Sequence, residues 1–142
     1  MVENPPAGSS GDPKNKEILI VDDDEAMLNL LSILVRRDGF RIDLAGTGDD
    51  ALEKLKRPHD ALILDLMLPG NTSGFDVLAR LRTFEGKVPP VIVVTAHAKT
   101  KEVQDLMADP NVVLFMSKPI SQKILLAALH KVLKTVNPHP EE

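Results

Sequence analysis

Four places in the sequence set a reactive polar side chain close behind a short apolar run. Asp22, Asp23 and Asp24 follow residues 18–21, Asp65 follows 61–64, Thr95 follows 91–94, and Lys118, with Pro119, comes after 112–116. A carboxylate can act as a nucleophile or as a ligand of a hard cation, an ammonium is a compact point charge for an anion, and a hydroxyl donates a hydrogen bond. Taken singly, each has an ordinary explanation. An aspartate often caps a helix that starts just after it, and that job is assigned to Asp24. Capping does not account for Asp65, Thr95 and Lys118 as well.

The elements that must hold these residues are read from apolar spacing. Strands are expected at 18–21, 40–45, 61–64, 91–94 and 112–116. Between them, Ala26, Met27, Leu30, Leu31, Leu34 and Val35 form one helical face, with Gly39 placed to end it. A short helix is expected at 50–56, before the break at Pro58. Phe75, Val77, Leu78 and Leu81 mark a third helix, and a weaker one lies near 102–108. Ile120, Ile124, Leu125, Ala128 and Val132 line the last. Apolar strands alternating with amphipathic helices require a parallel sheet covered on both faces, so the class is α/β. All four polar groups then fall at carboxyl ends of strands. In an open doubly wound sheet, that edge forms the ligand crevice.

The stretches ILIVDDDEAMLNLL, ALILDLMLPG, VIVVTA and FMSKP, in this order and spacing, resemble the receiver domains of two-component response regulators. The resemblance covers about residues 16–135. It implies a flavodoxin-like sheet of five parallel strands in the order 2-1-3-4-5 with five helices, which brings the acids together. It also implies that Asp65 accepts a phosphoryl group from a histidine kinase or a histidine phosphotransfer protein. Asp23 and Asp65 are then expected to bind Mg²⁺ directly, Asp22 through water, and Met67 through its backbone carbonyl. An oxygen-rich cluster without sulfur suits that ion.

By the same resemblance, Lys118 pairs with Asp65 at rest and with a phosphoryl oxygen afterwards, aided by a cis bond before Pro119. Thr95 donates to the new phosphate while Phe115 turns inward, reshaping the surface of residues 99–135 for a downstream target or a second copy of the chain. His97 and Met67 are candidates for tuning the phosphate's lifetime. Relatives carry proline four residues after the acceptor and glycine eight after it. Pro69 fits that spacing, but the glycine stands one position later, at Gly74, so the loop NTSG is expected to be one residue longer.

Residues 1–15 collect proline, glycine and serine and are expected to be a flexible tail, with the domain at 16–136 and a short tail at 137–142. The 142 residues suit one domain; NPHPEE after the last helix leaves no output domain among them. The chain has no cysteine, a net charge of −4 and 3% aromatic residues. These exclude a disulfide framework and a thiolate metal site, and they argue against a nucleic-acid surface. With no secretory signal or membrane-spanning run, a cytoplasmic protein is expected. It is read as a signalling phosphoacceptor rather than an enzyme, limited to self-catalysed phosphorylation and autodephosphorylation. Two rival readings fit less well. A haloacid-dehalogenase-type phosphatase would use Asp22 and Asp24 but leaves Asp65 unexplained. A pseudo-receiver docking module usually lacks an acid or the lysine. His59, His130 and His139 are scattered singly and suggest no metal site.

Overall fold

The computed structural model describes residues 11–96 and 101–138. The described residues form five strands, β1 (Glu17–Val21), β2 (Arg41–Ala45), β3 (Ala61–Asp65), β4 (Val91–Thr95) and β5 (Val112–Ser117). They alternate with five helices, α1 (Glu25–Arg37), α2 (Gly48–Lys54), α3 (Gly74–Leu81), α4 (Lys101–Asp105) and α5 (Gln122–Leu133). Every strand pair is parallel, and the order is β2-β1-β3-β4-β5, the flavodoxin-like α/β arrangement.

The strands are apolar throughout because both faces of the sheet are covered, so alternate side chains enter two separate cores. Leu19, Val21, Leu62, Leu64, Val91 and Val93 point to one face and pack with Ala51, Val77, Leu78, Leu81 and Val103. Ile18, Ile20, Ala61, Ile63, Ile92 and Val94 point to the other and pack with Leu31 and Val35 of α1 and Leu125 and Leu129 of α5. Each fully buried leucine or isoleucine contributes about 1.5–3 kcal/mol. That rigid double-sided packing fixes where each strand ends, and the polar residues beyond those ends are fixed with it.

Several boundaries differ from the sequence reading for local reasons. Helix α2 begins at Gly48, earlier than expected, because the Thr47 side chain caps it by accepting from the Asp50 N–H at 3.0 Å. Phe40 is buried in the core ahead of β2 instead of opening it. The weak fourth helix splits into α4 and a 3₁₀ turn at Leu106–Ala108. On α5 the buried stripe is Leu125, Leu126, Leu129 and His130, while Ile124 is 55% exposed. The cause is His130, whose imidazole bonds the buried Asp38 carboxylate at 3.0 Å and turns that side of the helix inward.

The tail boundary at residue 16 is corrected as well. Asp12 caps a 3₁₀ turn at Pro13–Asn15, and the Lys14 carbonyl accepts from the Arg41 guanidinium at 2.9 Å. The Gly11 carbonyl accepts from the Val136 N–H at 3.3 Å, so this strap packs against the end of the domain. No helix among the described residues is long and apolar enough to cross a membrane.

Candidate functional site

Strand pairing builds the site. Because β1 lies beside β3, with Val21 opposite Leu64, the residues that follow emerge side by side. These are Asp22, 2% exposed, and Asp65, 4% exposed. Asp23 is exposed. Strand β4 pairs on the other side of β3 and ends in Thr95, which is fully buried. Strand β5 then delivers Lys118, whose backbone N–H donates to the Thr95 carbonyl at 3.0 Å. The peptide bond from Lys118 to Pro119 is cis.

Lys118 reaches across the crevice. Its ammonium donates to Asp22 Oδ2 and to Asp65 Oδ2, each at 3.0 Å. The second oxygen of each acid takes a backbone N–H: Asp22 Oδ1 accepts from Asp24 at 3.0 Å, and Asp65 Oδ1 accepts from Met67 at 3.0 Å. Asp24 itself caps α1, accepting from the Ala26 N–H at 2.9 Å. The acidic triplet therefore divides its work, with two acids turned to the crevice and the third committed to the helix. A phosphatase that needed Asp24 in the site would find it engaged elsewhere.

The electrostatics follow from this crowding. Burial pushes the Asp65 carboxyl above its ordinary range; the Met67 N–H and Lys118 pull it back, and the Asp22 charge pushes it further up. For Lys118, burial works against the charge, but the hydrogen bonds to Asp22 and Asp65 outweigh it and hold the ammonium above the usual lysine range. One cation thus serves two carboxylates.

Carboxylate oxygens of Asp22, Asp23 and Asp65 lie within 4.8 Å of one another, the one such metal-ligating group of three among the described residues. The donors are all hard oxygens, and the exposed Asp23 opens the cluster to solvent. That set fits a divalent cation of the Mg²⁺ type better than a soft metal.

The remaining candidates separate. Met67 is 43% exposed and lies two residues past Asp65, and Phe115 is partly buried against the core that includes Val103 and Leu106. His97 and Lys99 lie outside the described residues. Two features were missed from sequence. His59 and His130 are not idle: His59 bonds Asp43 at 3.0 Å, and His130 joins Asp38 to the Thr135 hydroxyl. No local signal betrays a pair 92 positions apart, as His130 and Asp38 are. The second feature is Gly74, which packs on the backbone of Asp65 and Leu66. A Cβ there would stand 2.5 Å from Leu66 Cα and would overlap the Asp65 carbonyl.

Comparison with known proteins agrees with this geometry. The family described as response regulator receiver domain matches residues 18–130. The chain is 36% identical over 120 residues to the sensory transduction protein RegX3 of Mycolicibacterium smegmatis, covering 82% of this chain and 50% of that protein. It is 35% identical over 133 residues to the DNA-binding response regulator MtrA of the same organism, covering 92% and 56%. It therefore spans about half the length of these relatives.

Among solved structures, the CheY-like receiver domain protein of Methanospirillum hungatei superposes with a TM-score of 0.73 at 26% identity, covering 84% of this chain and 94% of that one. The receiver domain of a sensor histidine kinase from Pseudomonas aeruginosa, solved with a magnesium ion coordinated in its active-site cleft, gives 0.74 at 26%, covering 84% and 98%. With the strand order and the acidic crevice in hand, the chain belongs to the response regulator receiver domain family of two-component signal transduction.

Proposed function

We propose that Asp65 is the phosphoacceptor of this receiver domain, taking a phosphoryl group from the phosphohistidine of a sensor histidine kinase or of a histidine phosphotransfer protein. The observation that carries the reading is the convergence of Asp22, Asp65 and Lys118 in one buried set of hydrogen bonds. In the transfer, an Asp65 oxygen attacks phosphorus and the bond from phosphorus to the donor imidazole nitrogen breaks, leaving an acyl phosphate on Asp65 and, with one proton taken up from solvent by the ring, a neutral imidazole on the donor.

Asp22, Asp23, Asp65 and the Met67 carbonyl are the groups that would hold Mg²⁺. When bound, it supplies charge neutralisation across the carboxylates and the phosphoryl oxygens. Lys118 exchanges a carboxylate oxygen for a phosphoryl oxygen, keeping an anion at its ammonium throughout. The Thr95 hydroxyl donates to the phosphate and Phe115 turns inward, so phosphate favours one of two packings. An altered Phe115→Ala protein whose spectra still change fully on phosphorylation counts against that step.

The face read as the output surface includes α4, β5 and α5. Val113, exposed where β5 slips register against β4, and Ile124 supply apolar area there for a target or a second copy. Location in the cytoplasm, no chemistry beyond self-phosphorylation and autodephosphorylation, and a His97 contribution to phosphate lifetime belong to the same reading. Incubation with acetyl phosphate, with and without Mg²⁺, tests it. Base-labile phosphate that forms only with Mg²⁺ supports an acyl phosphate, whereas base-stable or Mg²⁺-independent labelling refutes it.

A further inference from the structure

The segment after Asp65 is fixed at three points. At its start, the Met67 N–H donates to Asp65 Oδ1 at 3.0 Å. At its end, the Gly74 N–H donates to the Leu66 carbonyl at 3.0 Å, and Ser73 caps α3 in a reciprocal box with Asp76. Both of these anchors stay within the segment and the helix it enters. The third reaches a different element: the Thr72 hydroxyl donates to Asp49 Oδ1 in the first turn of α2.

Beside it, Gly48 leaves the gap into which the loop settles. A Cβ on Gly48 would stand 2.7 Å from Thr72 Cγ2 and would overlap the Thr72 carbonyl oxygen. Thr72 lies in the NTSG stretch, where the chain has one residue more than the resemblance implied.

One more residue costs little loop-closure entropy, but it multiplies the conformers open to the loop. Those conformers differ in where they put Met67, whose N–H orients the acceptor carboxylate and whose carbonyl the cation reading enlists. We propose that Thr72 is a positioning residue: held by Asp49 over the Gly48 gap, it restricts the lengthened loop so that the backbone at Met67 stays set beside Asp65 for cation binding. This rests on the reading of Asp22, Asp23 and Asp65 as an Mg²⁺ site. Thr72 acts through the loop and touches no reacting atom.

The test is Mg²⁺ affinity of the full chain by calorimetry. Thr72→Val keeps the shape and loses the hydroxyl, Thr72→Ser keeps the hydroxyl, and Asp49→Ala removes the acceptor. Outer partners of metal ligands typically contribute 10–100-fold to affinity; acting one step further away, this contact is expected to contribute about 3–10-fold. Thr72→Val and Asp49→Ala should weaken Mg²⁺ binding to that extent, the double variant no more than either alone, with Thr72→Ser near wild type.

Melting without metal should be unchanged, and the labelling rate at saturating Mg²⁺ should return to the wild-type value. Equal affinities for wild type and Thr72→Val, or a serine variant as weak as the valine one, overturn the assignment while leaving the cation site standing. A wild-type chain that binds no Mg²⁺ overturns the cation reading itself, and this assignment with it.

Discussion

The Lys118 ammonium sits 3.0 Å from Asp65 Oδ2 and holds Asp22 Oδ2 at the same distance. One partly exposed cation thus balances two buried carboxylates that come from strands on either side of a single pairing. The arrangement is stable at rest and short of positive charge.

Replacing Lys118 by methionine leaves both acids facing each other without a counter-ion. Breaking a buried ion pair costs about 3–5 kcal/mol; with the lysine side chain 21% exposed, solvent screening brings the expectation here to about 1–2 kcal/mol. Urea unfolding in metal-free buffer measures it, and added Mg²⁺ should recover part of the loss. Unchanged stability in the absence of metal would mean that water already screens the two carboxylates from each other.

Gly74→Ala tests contact against conformation. Gly74 is crowded by the backbone of Asp65 and Leu66, whereas Gly70, at φ +89°, has nothing within 4 Å of where a Cβ would stand. Overpacking of this kind costs about 1–3 kcal/mol or more, and alanine at a left-handed glycine costs about 1–2 kcal/mol. Gly74→Ala should therefore be the more destabilising of the two and should also slow phosphorylation. A larger loss from Gly70→Ala would reverse the ranking.

Far from the crevice, Glu17 gives a pH signature. The Arg57 guanidinium donates to its carboxylate at 2.6 and 3.1 Å; that hydrogen bond, against the opposing effect of burial, lowers the Glu17 pKa from 4.5. A depressed folded pKa contributes stability that is present above the unfolded value and lost as pH falls through the folded one. The stability gap between wild type and Glu17→Gln should be constant above pH 4.5 and close on further acidification, as followed by urea midpoints. A gap that persists unchanged in acid contradicts the pairing.

Much of this is legible in the sequence because it depends on patterns local in the chain. The five apolar runs, the polar residues at their ends and the helix cap at Asp24 are written in consecutive residues. What was not legible depends on distant partners. Ile124 looked like a core residue until His130, paired with Asp38, turned the stripe on α5. The later position of Gly74 looked like a departure from the family's spacing; its contact with the Asp65 and Leu66 backbone explains why the glycine must occupy the first turn of α3, leaving the additional residue to the loop before it. The strap at residues 11–15 reads as tail by composition, and only its bonds to Arg41 and Val136 tie it down.

The proposal rests on Asp65, and its replacement by asparagine keeps the shape and an oxygen for Lys118 while removing the proposed nucleophile. Intact-protein mass spectrometry after incubation with acetyl phosphate and Mg²⁺ compares the two directly. The prediction is a single phosphoryl adduct on wild type, mapped to Asp65, and none on the Asp65→Asn variant, which should remain folded. An adduct of equal yield on that variant, or a wild-type adduct mapped to another residue, would contradict it.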